Sequence, residues 1–89
     1  MSHLRTQFRK WQINHPNFMT PNILRIRENN GKIIELSSGR GIEEGTTIYG
    51  VTVLEMQNNG TFKSVWGSPF HDYKKAVEIF NKFNMWLNE

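Results

Sequence analysis

Residues 23–37, ILRIRENNGKIIELS, and residues 47–67, TIYGVTVLEMQNNGTFKSVWG, each hold an Asn-Asn-Gly triplet between runs rich in β-branched and aromatic residues. Asn and Gly tolerate the positive φ of tight β-turns, and apolar runs on both sides of them signal a hairpin. Two such units in series predict four antiparallel strands. In the first, a two-residue Asn-Gly turn would set Ile26 against Glu35 and Arg25 against Leu36, mixing apolar and charged residues on each face. A three-residue loop closed by Gly31 instead sets Leu24 against Leu36, Ile26 against Ile34, and Arg25 against Glu35, an opposite-charge pair worth about 0.2–1 kcal/mol. On that criterion the three-residue register is expected. The same loop in the second unit opposes Met56 to Phe62, Glu55 to Lys63, Val53 to Val65 and Thr52 to Trp66.

The second hairpin is apolar on both faces. Leu54, Met56, Phe62 and Trp66 fall on one, and Tyr49, Val51, Val53 and Val65 on the other. One helix covers only one face, so the other must meet the N-terminal arm, a second copy of the chain or a ligand. The helix itself is expected after Ser68-Pro69, with Ser68 as N-cap and Pro69 at the first helical position. From there Phe70, Tyr73, Ala76, Val77, Phe80, Phe83 and Leu87 recur at helical spacing, and Lys74, Glu78 and Lys82 form an exposed ladder. Ile79 and Trp86 widen the apolar arc beyond a plain core stripe.

The expected fold is therefore α+β: a four-stranded antiparallel meander of two hairpins packed on one C-terminal helix, with a basic N-terminal arm. Residues 1–20 form the arm, partly flexible or weakly helical, and residues 21–89 a single ββββα domain. At 89 residues there is room for one domain, which buries only about 60% of its unfolded surface. With 37% hydrophobic and 21% charged residues the composition is that of a globular protein. No apolar run approaches the ~20 residues of a membrane-spanning helix. The absence of cysteine excludes disulfides and thiolate chemistry and suits a reducing, cytoplasmic setting.

The formal charge of +3 is unevenly placed. Before the first acid, Glu28, lie Arg5, Arg9, Lys10, Arg25 and Arg27, and every acidic residue follows. An acid-free basic segment attracts phosphate-bearing partners. Leu4, Phe8 and Trp11 recur at spacings of four and three, a weak amphipathic helix pattern. No 7–15-residue apolar core accompanies these cations, so a secretory signal is not expected. Residues 1–18 read either as a solvated appendage or as a cover for the sheet.

Little in the sequence points to catalysis. His3, His15 and His71 are scattered, no metal-ligand spacing is present, and Glu43 and Glu44 adjoin in a polar loop. No enzyme, metal or cofactor is expected, nor is any small-molecule substrate evident. The stretch 37–46, SSGRGIEEGT, reads as an irregular crossover in which Gly39, Arg40 and Gly41 could present amides to an anion. Contact with another protein or with a second copy of the chain is the leading expectation. Its surface would comprise Ile79, Trp86, Tyr49, Val51, Val53 and Val65. The alternative is single-stranded nucleic-acid binding through Arg5, Arg9, Lys10 and Trp11 of the arm and through Arg25 and Arg27 on the outer face of the first strand. A four-stranded antiparallel sheet followed by one helix is similar in layout to the single-stranded-DNA-binding transcriptional coactivators and the Whirly proteins. No motif is shared with them.

Overall fold

The structure, a computed structural model, describes residues 3–86, with side chains from 4 to 83. Its elements are α1 (His3–Asn14), β1 (Asn22–Asn29), β2 (Lys32–Arg40), β3 (Thr47–Met56), β4 (Phe62–Phe70) and α2 (Tyr73–Trp86). The strands form one antiparallel sheet in the order β1-β2-β3-β4, the expected meander. Neighbouring strands are joined by short turns, so no crossover is required.

The first hairpin adopts the register that the side-chain criterion rejected. Asn29 pairs with Lys32, Ile26 with Glu35, and Arg25 with Leu36. Asn30 and Gly31 both have positive φ, 55° and 79°, which is the two-residue type I′ turn. The expected Leu24–Leu36, Ile26–Ile34 and Arg25–Glu35 pairs do not form. The physical reason is that both faces of the sheet are covered, so a strand need not collect its apolar residues on one side. Adjacent Ile33 and Ile34 are both fully buried, one beneath each helix.

In the second hairpin Gly60 alone has positive φ, at 83°, and the three-residue loop forms as expected. Gln57 N–H donates to the Thr61 carbonyl at 2.7 Å, and Gly60 N–H donates to Gln57 at 3.0 Å. Met56 pairs with Phe62 and Glu55 with Lys63, but a β-bulge then shifts the register. Trp66 consequently opposes Val53, and Thr52 opposes Gly67. The extra residue moves Trp66 to the opposite face from the one its alternation implies. Glu55 makes its ion pair with Lys32 on the other neighbouring strand, at 3.5 Å.

Two buried clusters lie on opposite faces of the sheet. On one, Ile34, Leu36, Val51 and Val53 pack beneath Ala76 and Phe80 of α2. On the other, Ile26, Ile33, Leu54 and Phe62 pack beneath Phe8 of α1, with Leu4 and Trp11 beside it. The ring of Phe8 meets that of Phe62 edge-on at 5.3 Å, a favoured aromatic geometry. Phe8 is completely buried. Residues 3–14 therefore belong to the folded core, and a division at residue 20 separates parts that share one hydrophobic cluster. Of the three covers considered for the second face, the arm is the one that occupies it.

Ser68 and Pro69 do not open the C-terminal helix. They close β4, where Gly50 pairs with Pro69 and Tyr49 with Phe70. An edge strand tolerates proline, because its missing N–H can face away from the sheet. Asp72 is the cap instead: its Oδ1 accepts from Lys74 N–H at 3.0 Å, and its carbonyl accepts from Ala76 N–H at 3.1 Å. Its negative charge also offsets Lys74 and Lys75 in the first turn.

The connection between α1 and β1 is held close to the sheet. Asn17 Oδ1 accepts from the N–H groups of Met19 and Thr20, turning the chain so that Thr20 is buried. A Cβ at Gly39 would run into the Met19 carbonyl, so only glycine admits the strap at this distance. Gly39→Ala is expected to cost about 1–3 kcal/mol, the usual penalty of forced overpacking, read as a lowered urea midpoint at unchanged m-value. An unchanged midpoint would show that the strap does not hold this position in solution.

A candidate ligand pocket between α1, the strap and the sheet

α1 has twelve residues and spans about 18 Å, at 1.5 Å per residue. It lies over β1 and β2 and over Phe62, and leaves part of the same face of β3 and β4 open. A pocket of about 350 Å³ occupies that area. Its floor is Glu35, Gly50, Thr52 and Leu54, and β4 supplies a wall at Ser64, Gly67, Ser68 and Pro69. The end of α1 contributes Trp11, Gln12 and His15, and the strap Asn17, Met19 and Thr20. Gly50 and Gly67 carry no side chain to fill the space. The walls are mainly apolar, and the volume falls in the range of small-molecule sites.

Glu35 is the chemically distinctive group. It is only 4% exposed, and burial pushes its carboxyl up from 4.5 to about 7, opposed by a hydrogen bond with the Ser37 hydroxyl. Desolvation penalises the charged form, so the proton is held until near neutrality. Ser37 is itself fully buried, 2.7 Å from Thr20 Oγ1 and 3.4 Å from the Gly50 carbonyl. The strap thus reaches the carboxyl through two hydroxyls.

At the pocket rim His15 stacks on Trp11, with ring centroids 4.7 Å apart and planes within 4°. Its Nδ1 lies 3.0 Å from the Trp11 carbonyl, which can only accept. Nδ1 is therefore the protonated nitrogen, and in the neutral ring Nε2 is left as an acceptor. Among the described residues no group of three metal-ligating side chains occurs, and no helix is long and apolar enough to cross a membrane.

The residues singled out from sequence are distributed differently. Val51 and Val53 lie in the core beneath α2, with Tyr49 and Ile79 packed against it. They do not form an exposed contact surface, because α2 already covers them. Val65 is exposed, and the side chain of Trp86 lies outside the described residues. Trp11 packs against Phe8 and Phe62 and lines the pocket. Arg25 and Arg27 are on the α2 side of β1, with the Arg27 guanidinium 5.1 Å from the centre of the Phe80 ring. Lys10 is exposed on α1. The segment around Gly39, Arg40 and Gly41 is no irregular crossover: β2 runs through Arg40, and Gly41 N–H donates to the Thr46 carbonyl at 2.9 Å. That amide is committed to closing the β2–β3 turn, and of the turn's glycines only Gly45 has positive φ.

Glu35 itself escapes the sequence reading, which pairs it with Arg25 on the solvated side. The Asn30-Gly31 dipeptide was the signal that could have found it, since the type I′ register puts Glu35 opposite Ile26. Comparison with known proteins finds no matching family, no matching curated protein and no matching solved structure. The likeness in layout to the single-stranded-DNA-binding coactivators rested on a sheet followed by a helix; here a helix precedes the sheet and covers its other face.

Proposed function

We propose that this protein is a non-enzymatic binding protein whose pocket takes a small amphipathic ligand bearing an amine or similar hydrogen-bond donor. The observation that carries this reading is a buried carboxyl at the floor of a mainly apolar pocket. A buried acid without a charged partner is costly when ionised, and a ligand ammonium would remove that cost by pairing with it. The apolar body of such a ligand would lie against Leu54, Pro69 and the stacked Trp11–His15 pair. Thr52 and Ser64 add hydroxyls for orientation. Of the surface expected to contact another protein, Val51 and Val53 lie beneath α2, with Tyr49 and Ile79 packed against them.

Benzylamine, benzyl alcohol and benzoate share one apolar body and differ in the group offered to Glu35. In amide NMR titrations benzylamine is expected to shift Glu35, Thr52 and Leu54, with affinity rising as pH passes about 7, where the carboxyl ionises. Glu35→Gln should abolish the preference for the amine. Equal binding of benzoate, or shifts confined to residues outside the pocket, would overturn the assignment.

A further inference from the structure

We propose that the groove along the outer edge of β1 binds the phosphodiester backbone of a single-stranded nucleic acid. Arg5 and Arg9 of α1 line this groove together with residues 23–27 of β1, which include Arg25 and Arg27, around a volume of about 310 Å³. Four arginines from two elements thus line one groove that wraps the edge of the sheet, Arg5 and Arg9 from the α1 side and Arg25 and Arg27 from the α2 side, and Glu35 is not among its lining residues. This inference stands independently of the ligand pocket.

The spacing of the cations suits a repeating anion. Arg5 and Arg9 are one helical turn apart, about 6 Å along the axis, and Arg25 and Arg27 are two strand residues apart, about 7 Å. Both resemble the step between successive phosphates of an extended strand. The guanidinium fork offers paired N–H donors to phosphate oxygens, and Arg27 is held in place by its stacking on Phe80. A peptide adding to the edge as a further strand fits less well. The register shift between Ile23 and Arg25 interrupts the regular spacing of the β1 backbone that such pairing would need. Of the groove's lining residues none is aromatic, so the contact is to the backbone and independent of base identity.

The test is fluorescence anisotropy of the full chain with a labelled oligothymidylate of about 20 nucleotides across a sodium chloride series. Binding is expected at low salt, with the logarithm of affinity falling against that of salt at a slope of about −3, from about −0.7 for each of four phosphate contacts. Arg9→Gln/Arg25→Gln should bring that slope to about half and weaken binding at least about tenfold at low salt. Lys63→Gln, on β4 at the opposite edge, should leave both unchanged. Circular dichroism and melting of each variant separate a lost contact from a lost fold. Absence of binding at low salt, an equal effect of Lys63→Gln, or competition by polyglutamate as effective as by unlabelled oligonucleotide would overturn the proposal, the last in favour of an acidic peptide.

Discussion

Phe8→Ala is expected to destabilise the protein by about 3–5 kcal/mol, the usual cost of truncating a fully buried aromatic side chain. Phe8 is 0% exposed and sits at the centre of the cluster formed by Ile26, Ile33, Leu54 and Phe62. Its removal takes away the edge-on contact with Phe62 and leaves a cavity that four β-sheet residues cannot close without distorting the strands. A domain of this size has a total stability of about 5–15 kcal/mol, so the loss is a large fraction of the whole. Phe80→Ala, the equivalent deletion beneath α2, should cost a similar amount. Equality of the two would show that both helices hold the sheet to a comparable degree. A chain beginning at Met19 should lose cooperative unfolding or melt far below the full chain, because it exposes the whole second cluster. If urea denaturation gave that shortened chain the midpoint of the full one, α1 would be an ornament on a self-sufficient sheet.

Glu35→Gln is expected to act in the opposite direction, and only at the upper end of the pH range. In the native state the carboxyl titrates near 7, against 4.5 for an unperturbed group. Its folded pKa is raised, so the native state holds the proton more tightly than the unfolded chain does. The stability that follows is fully present below about pH 4.5 and is lost as pH rises through about 7. At about 1.4 kcal/mol per pH unit, the loss amounts to about 3 kcal/mol above neutrality. The neutral amide of glutamine has nearly the shape of the protonated acid and does not ionise. The variant should match the parent in mildly acidic buffer and exceed it by about that amount in mildly alkaline buffer. Parallel stability curves for the two proteins from acid to alkaline pH would mean that Glu35 is solvated after all.

The strands were legible because each hairpin announces itself twice, by its turn residues and by the apolar runs on either side. The C-terminal helix was legible from Tyr73, Ala76, Val77 and Phe80, and a helical tendency in the arm from Leu4, Phe8 and Trp11. What local pattern could not supply was the use made of that arm. Once α1 is docked, apolar residues are needed on both faces, and the test that compares the faces of β1 loses its force. Ile33-Ile34 and the run from Val51 to Leu54 already carried the signal, because adjacent buried residues in a strand point to opposite sides. Ser68-Pro69 satisfied the rules for a helix start and equally those for an edge strand. Only pairing with Gly50 and Val51 decides between them. Glu35 was illegible for a related reason: a carboxylate in a strand reads as surface until the register assigns it a face.

The shifts of register in β1 and β4 have been described by where they send side chains, yet they fall on the two outermost strands of the sheet. An open meander ends in two ribbons of unsatisfied amides and carbonyls, which invite another molecule to continue the ladder and start a fibre. Here each ribbon is broken by an irregularity, β1 bristles with arginine, and β4 carries Lys63 and Pro69. Growth of the sheet by stacking one molecule edge to edge on the next is thereby obstructed at both ends. The bulge that displaces Trp66 in β4 and its counterpart in β1 protect a four-stranded sheet from becoming an endless one.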